Sequence, residues 1–413
     1  MSLFTVFAVL ITLTAIFSFI NERYIRLPPT IGVMVASLAA SILIIVLGSF
    51  GFESMDWARD LVIRVDFDAL LMKGMLSFLL FAAALNVDLT DILKHKWSIS
   101  YLVTVGMVIS TLLTGIAVWW VFSLLGYKIS YVYALLLGAL ISPTDAVAVL
   151  GILKRTKAGK ALKTIITGES LFNDAVAVVL FIAIMGIALD GKSMGSFDIG
   201  EFFLKEAIGG ILLGLILGYI SYNLINKIDN YLVIVLITLA VVSGGYALAE
   251  SLDISGPLSM VIAGLFLSYR RSEFKHSQKT LSTVGSFWEL IDEILNAVLF
   301  VLIGLEILIL DIEGTFIVAG IIAIPIIIFT RSVSVGLPLF LFKIFKRLKP
   351  FDAIIMTWGG LRGGVSIALA LSVPDSTERD LILVVTYVVV VFSILVQGLS
   401  LEKVILWGEP KKQ

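Results

Sequence analysis

The chain has 413 residues, of which 59% are hydrophobic and only 15% are charged, and its mean hydropathy is +1.06. Soluble domains carry about 25% charged residues, so this composition excludes a water-soluble protein and predicts a polytopic membrane protein. The net charge of −1 says little by itself, but without a basic domain no nucleic-acid partner is expected. Cysteine is absent and only two histidines are present, which excludes disulfides and thiolate metal sites, so no cofactor is expected.

Apolar segments long enough to cross a membrane follow one another along the whole chain. A transmembrane helix needs about 20 such residues. The first segment lacks the basic start and the cleavage site of a signal peptide. We therefore predict an all-α polytopic membrane protein with thirteen transmembrane helices. Their predicted bounds are 2–20, 28–49, 69–87, 98–124, 130–152, 164–189, 202–223, 231–249, 256–269, 281–310, 315–342, 351–373 and 381–400.

The distribution of Lys and Arg predicts the orientation of the chain. If the loop after the first span is cytoplasmic and the loops alternate from there, most of the 30 Lys and Arg residues fall in cytoplasmic segments. Cytoplasmic loops are enriched in these residues. We therefore expect a multi-pass protein of the cell (plasma or inner) membrane, with the N-terminus outside and the C-terminus in the cytoplasm. The basic stretch 154–160 is expected to meet anionic membrane lipids.

Two predicted spans contain residues that interrupt a helix near mid-depth. Pro143, which removes a backbone donor, precedes Asp145 in the fifth span, and Gly360, Arg362 and Gly363 lie in the twelfth. Interrupted helices in corresponding positions of two halves are typical of transporters built on inverted repeats. Spans 4–6 and 11–13 form triplets with a broken middle member and begin on opposite sides. The sequence therefore predicts inverted repeats with two discontinuous crossing helices, the fifth and the twelfth.

Charged residues in the predicted membrane core are confined to these two triplets. They are Asp145, Glu169, Asp174, Arg331 and Arg362. A charge at this depth costs about 2.5–3.5 kcal/mol on insertion scales, so each needs a partner or a function. We assign Arg331 to Glu169 as a structural ion pair. Arg362 is assigned to exposed carbonyls or helix ends at the second break.

The sixth span places its polar residues on two stripes. At 100° per residue, Glu169 and Asn173 share one stripe, while Ser170 and Asp174 share the next. One stripe can present Ser170 and Asp174 to a cavity beside the fifth span. The other can turn Glu169 toward an arginine.

Asp145 and Asp174 are left without a dedicated cation. Two desolvated carboxylates close together disfavour ionisation, so such a pair takes up either a proton or a cation. Together with the hydroxyls of Thr144 and Ser170 and with carbonyls freed by the break, they offer the hard oxygen ligands that suit a small alkali ion. Competition between a cation and protons for the same oxygens is itself an exchange mechanism, because an empty site would carry bare charge across the membrane.

Three motifs in order resemble those of a known family. They are SPTDAVAV at 142–149, GESLFNDAV at 168–176 and GGLRG at 359–363. These stretches resemble the signatures of the monovalent cation:proton antiporter family 1, the Na⁺/H⁺ exchangers, and in particular its prokaryotic members. The resemblance extends over essentially the whole chain.

This resemblance implies the sodium/proton antiporter fold and a homodimer whose core moves like an elevator. Residues 1–97 (spans 1–3) and 231–310 (spans 8–10) would form the dimerisation domain. Residues 191–230 would form the linking helix. The core would comprise 98–190 (spans 4–6) and 311–413 (spans 11–13 with a short cytoplasmic tail).

The resemblance also implies roles for the site residues. Asp174 would be the principal carrier of Na⁺ and H⁺, assisted by Thr144, Ser170 and Asp145. Na⁺ would be held by Asp174, Thr144 and Ser170. The pair Asn173-Asp174, in place of two aspartates, is the mark of the electroneutral branch.

The sequence also bears on three other functions: K⁺/H⁺ exchange, an ion channel and an enzyme. Exchange of K⁺ for H⁺ is the rival within the same class, and Li⁺ is a further candidate ion, because cavity size and oxygen number decide alkali selectivity. An ion channel would need a filter-like repeat, and the sequence has none. An enzyme would need a nucleophile and base or metal ligands, so we expect no enzymatic activity.

Overall fold

The computed structural model describes residues 3–50, 54–156, 158–190, 196–274, 278–310, 313–341 and 348–407. Within these ranges the regular structure is entirely helical. The helices are α1 Leu3–Ile20, α2 Pro29–Ser49, α3 Ser54–Val65, α4 Phe67–Ala69, α5 Leu76–Asn86, α6 Leu89–Lys94, α7 Lys96–Tyr101, α8 Met107–Leu124, α9 Tyr131–Ile141, α10 Val147–Arg155, α11 Lys160–Asp190, α12 Ser196–Ile225, α13 Tyr231–Ser251, α14 Gly256–Tyr269, α15 Gln278–Glu306, α16 Gly314–Leu341, α17 Pro350–Trp358, α18 Gly364–Leu371, α19 Thr377–Phe392 and α20 Leu399–Trp407.

The predicted apolar segments are helical in the structure. Among the described residues, nine helices are long and apolar enough to cross a membrane, and Tyr131–Ile141 and Gly256–Tyr269 are shorter apolar helices. Several spans contain a π-helical turn that joins two α-helices, as at Leu70–Met75 and Ser393–Gly398. The all-α polytopic class is therefore confirmed.

Two helices lie in segments between the predicted spans, where only loops were predicted. They are α3 and α6, within the segments 50–68 and 88–97. Asp88 caps α6, since its Oδ1 accepts a hydrogen bond of 2.8 Å from the Thr90 amide. Search windows of about 20 apolar residues miss such short polar helices.

Both predicted interruptions are present in the structure as breaks in a helix. Helix α9 ends at Ile141 and α10 begins at Val147, and α17 ends at Trp358 while α18 begins at Gly364. The residues between these ends belong to no helix, although the amides of Ser142 and Gly359 still donate to the carbonyls four residues back. Proline at 143 and glycines at 359, 360 and 363 account for these positions, because proline lacks a donor and glycine weakens a helix.

The chain divides into two compact units. The first comprises Met1–Leu71, Gly106–Lys163 and Asn296–Gln413, and the second comprises Met72–Val105 and Thr164–Leu295.

The second unit is held by glycine-lined helix contacts and an aromatic core. Gly210, Gly214 and Gly218 repeat every four residues on α12, and a Cβ at Gly214 would lie 2.5 Å from the Ser259 carbonyl oxygen on α14. Small residues at this spacing let two membrane helices approach closely. Nearby, the buried Trp288 donates from its indole nitrogen to Thr238 Oγ1 at 3.0 Å.

The first unit brings α8 and α9 together at a second close approach. A Cβ at Gly138 would collide with the backbone carbonyl oxygen of Thr111 and would lie 3.1 Å from the Gly115 nitrogen. Both obstacles are backbone atoms, which cannot rotate away. Only glycine fits at this point of α9.

Replacing Gly138 with Ala is therefore expected to destabilise the protein by about 1–3 kcal/mol, the usual cost of overpacking. The apparent melting temperature of the purified protein in detergent measures this loss. Gly151→Ala on α10 is the matched control, because Gly151 is exposed and nothing lies within 4 Å of its added Cβ. An equal melting temperature for Gly138→Ala and wild type would contradict the close approach.

Candidate functional site

The two backbone breaks contact each other within the first unit. The Asp145 amide donates a hydrogen bond of 2.7 Å to the Leu361 carbonyl. Arg362 Nη1 donates to the carbonyls of Ser142 and Pro143, at 2.5 and 3.0 Å. Backbone groups that each break removes from its own helix thus find partners on the other. This satisfies them in a region where unpaired carbonyls and amides are costly.

Arg362 is itself held in a buried, polar position. The residue is 3% exposed, and its backbone amide donates a hydrogen bond of 3.0 Å to Ser393 Oγ. The carbonyls that it satisfies belong to the first break, whereas the sequence analysis assigned it to the second. Ser393 lies in the π-helical turn after α19, and no sequence motif marks it.

Two glycines of the second break make room for side chains of the first. A Cβ at Gly363 would lie 2.8 Å from both Cβ and Oδ2 of Asp145. A Cβ at Gly360 would lie 3.0 Å from Arg331 Nε and 3.2 Å from Thr144 Cγ2. Any larger residue would displace these groups. The glycines therefore act by allowing a close approach as well as by weakening the helix.

Asp145 has a local role that the sequence analysis missed. Its Oδ1 accepts a hydrogen bond of 2.7 Å from the amide of Val147, the first residue of α10. A carboxylate at a helix N-terminus satisfies a free amide and interacts favourably with the helix dipole. A sequence signal for this cap exists, because Asp145 follows Pro143 and stands two residues before the point where a new helix can begin. One carboxylate oxygen of Asp145 thus stabilises the first break by capping α10.

Hydroxyl groups line the first break on its α8 side. Ser142 Oγ donates to the Gly138 carbonyl at 2.7 Å and lies 3.0 Å from Ser110 Oγ. Thr111 Oγ1 lies 3.4 Å from Ser142 Oγ. All three side chains are buried. This polar cluster satisfies the end of α9 before Pro143.

Arg331 lies on α16 in the same unit and is buried, 6% exposed. Together with Thr357, Gly360, Arg362 and Gln397 it forms the polar part of the lining of a small cavity next to the second break. The rest of that lining is apolar. Two buried guanidinium groups therefore lie on the wall of a cavity beside the second break.

Helix α11, in the second unit, has the two polar stripes that the sequence predicted. Glu169 and Asn173 are buried, with exposed fractions of 3% and 2%, whereas Ser170 and Asp174 are half-buried. The helix is continuous from Lys160 to Asp190, so residues four apart share a face. Ser170 and Asp174 therefore lie together on the more accessible of the two stripes.

Gly168 lets α11 approach α7 closely. A Cβ at this position would lie 2.5 Å from Ile99 Cδ1. The first residue of the second motif thus has a packing role.

Within the described ranges, no three His, Asp or Glu side chains are arranged to hold a metal ion.

An all-helical chain of apolar spans, two of them broken where buried polar groups meet, has the architecture of a secondary transporter. The family described as "Sodium/hydrogen exchanger, transmembrane" matches residues 6–407. The chain therefore belongs to the sodium/hydrogen exchanger family, as the three motifs indicated.

Relatives in this family are similar over most of their length. The Na⁺/H⁺ antiporter NhaP of Pseudomonas aeruginosa is 46% identical over 399 residues, which are 95% of this chain and 94% of that protein. The Na⁺/H⁺ antiporter NhaH of Halobacillus aidingensis is 34% identical over 375 residues, or 89% of this chain and 91% of that protein.

A solved structure shows the same fold. The sodium proton antiporter MjNhaP1 from Methanocaldococcus jannaschii, at pH 8, superposes with a TM-score of 0.76 over 99% of this chain and 100% of that chain. The two sequences are 19% identical, so this similarity concerns the fold alone.

Proposed function

We propose that the protein is a secondary active Na⁺/H⁺ antiporter. The observation that carries this proposal is the 46% identity, over 95% of the chain, with a Na⁺/H⁺ antiporter. The broken helices support it, because helices interrupted near mid-span beside buried polar groups are typical of ion sites in transporters. The half-buried Ser170 and Asp174 on α11 support it as well, since they offer hard oxygen ligands.

The mechanism we propose is competition between one cation and one proton for Asp174. A carboxylate in a low-dielectric region is costly without compensation. Either a bound Na⁺ or a bound proton compensates the charge of the Asp174 carboxylate. The protein with its site occupied therefore crosses between the two states, and the protein with an empty, charged site does not. Exchange is thereby favoured over leak.

The other site residues have supporting roles in this proposal. Thr144 and Ser170 join Asp174 as Na⁺ ligands, and Asp145 assists while it caps α10. Glu169 and Arg331 stay a predicted structural ion pair.

The finer architecture is proposed from family resemblance. Thirteen transmembrane helices with inverted repeats would place the N-terminus outside and the C-terminus in the cytoplasm. The protein would act as a homodimer in the cell membrane, with an elevator motion of the core. The pair Asn173-Asp174 favours electroneutral exchange of one Na⁺ for one H⁺.

The proposal is tested by transport in proteoliposomes that carry a pH gradient and a ΔpH-sensitive dye. Adding Na⁺ is expected to dissipate the gradient, and Li⁺ and K⁺ added in turn measure selectivity. A response to K⁺ but not to Na⁺ would favour the alternative, K⁺/H⁺ exchange. Clamping the membrane potential at different values tests stoichiometry, because electroneutral exchange should proceed at the same rate at each value.

A further inference from the structure

A fully buried carboxylate lies in the first unit, at the end of a helix that is not one of the two broken ones. Glu306 is the last residue of α15 and is 1% exposed. Neither of its carboxylate oxygens has a hydrogen-bond partner among the described residues. A buried carboxylate without donors is costly when it is ionised, so the group needs a ligand that neutralises it.

Neither α2 nor α18, which pack on the second half of α15, supplies such a donor. Serines on α2 hold the last turns of α15, since Ser37 Oγ and Ser41 Oγ donate to the carbonyls of Val301 and Gly304, both at 2.8 Å. Helix α18 packs on α15 at Leu299, against Gly364. Neither α2 nor α18 contains a titratable residue.

Titratable residues near Glu306 lie on α19 and just before it. Asp60 and Arg64 lie on α3, whose Ile63 lines the cavity described below. Asp68 of α4 accepts a hydrogen bond of 2.6 Å from Ser372, just after α18. Tyr387 is buried, and its phenol is close enough to Glu306 and to the Ile307 backbone for both to act on it. Arg379 is the cation whose charge reaches Glu306. Asp375, Glu378 and Asp380 are the acidic residues around the start of α19.

Arg379 is held only loosely. Its Nη1 lies 2.9 Å from Asp375 Oδ1, but the Asp375 side chain is 95% exposed, and ion pairs of this kind contribute little. Its Nη2 lies 3.5 Å from the Leu371 carbonyl oxygen, at the outer limit of a hydrogen bond, and its buried Nε has no hydrogen-bond partner among the described residues. Arg379 is therefore able to move toward Glu306 when that carboxylate becomes charged.

A cavity borders this group on the side of Arg379. It has a volume of ≈ 190 Å³ and is lined by Arg379, by Asp380 and by Ile309 and Leu310, which follow α15. A single water molecule occupies about 30 Å³ of liquid, so the cavity has room for several. Protons can reach the Arg379 side of the group through it.

We propose that Glu306 is a second proton-binding group, distinct from Asp174, that adjusts transport to pH without carrying the transported ion. Its protonated form leaves Arg379 paired with Asp375. Loss of the proton draws Arg379 toward Glu306 and alters the contact between the end of α15 and α19. A proton suits the site better than a metal ion, because hard cations need several oxygen ligands and Arg379 repels them.

Infrared spectroscopy of the purified protein tests the proton directly, and independently of the proposed antiport. At neutral pH we expect the carbonyl stretch of a protonated carboxylic acid, shifted by ¹³C-labelled glutamate. Glu306→Gln, which mimics the neutral acid, should lose this band. Asp174→Asn should keep it, as should Glu313→Gln, the matched control on an exposed carboxylate.

Transport then tests the regulatory part. Glu306→Gln should still exchange cations for protons, with the loss of one step from its pH profile, whereas Glu313→Gln should keep the wild-type profile. The absence of any glutamate-derived band in wild type would overturn the proposal whether or not the variant folds. So would loss of that band when Na⁺ is added to Asp174→Asn, since Glu306 would then be a cation site. An unchanged pH profile in active Glu306→Gln would overturn the regulatory role.

Discussion

Replacing Asp174 with Asn is expected to abolish Na⁺-driven proton movement, to the level of liposomes without protein. The amide has nearly the shape of the carboxyl group, but it can neither bind and release a proton nor compensate a cation's charge. Asp174 lies half-buried on a continuous helix, so the substitution should leave the fold intact. The ΔpH-dye assay measures the loss, and thermal melting in detergent checks the fold.

Asp253→Asn is the matched control for this experiment. Asp253 is an exposed residue of the same unit and has a positive φ of 51°, a conformation that Asn tolerates well. This variant should transport at the wild-type rate. Exchange retained by Asp174→Asn would remove the carrier assignment, and with it the competition mechanism.

Replacing Arg362 with Met is expected to lower the stability of the first unit by about 3 kcal/mol or more. The substitution leaves the carbonyls of Ser142 and Pro143 without their donor, and hydrogen bonds to charged groups contribute about 1.5–3 kcal/mol each. Both breaks would loosen together, so transport should fall as well. The apparent melting temperature and the dye assay measure the two effects.

Arg64→Met separates this effect from the general loss of an arginine. Arg64 pairs with Asp60 at 2.8 Å on α3, and both side chains are about half exposed. Removing an exposed i, i+4 pair should cost about 0.5 kcal/mol or less. If Arg362→Met were inactive but as stable as wild type, Arg362 would act on the transported ion and not on the backbone of the breaks.

Helical segments could be predicted well because each depends on local composition. A run of about 20 apolar residues buries its backbone polar groups only as a helix. The breaks after Ile141 and Trp358 were also predictable, since proline and clustered glycines act on the backbone of their own segment. Short polar helices such as α3 escaped the same reasoning, because they follow no membrane-length pattern.

Contacts inside the site could not be predicted in the same way. The sequence offered Arg362 several possible carbonyl acceptors, and the structure gives those of Ser142 and Pro143. The bond from the Asp145 amide to the Leu361 carbonyl joins residues more than two hundred positions apart. No periodicity or motif shows which of many free backbone groups will meet.

By itself, the sequence determined the all-helical membrane class, the two interrupted spans, the polar stripes of α11 and the family. Each of these follows from residue type and short spacing, which act within one helix. Only the tertiary structure decided that the two breaks satisfy each other, that Asp145 caps α10 next to Gly363, and that Glu306 is buried with no donor among the described residues. Burial and hydrogen bonding between distant segments depend on how helices pack, and packing is a property of the whole unit.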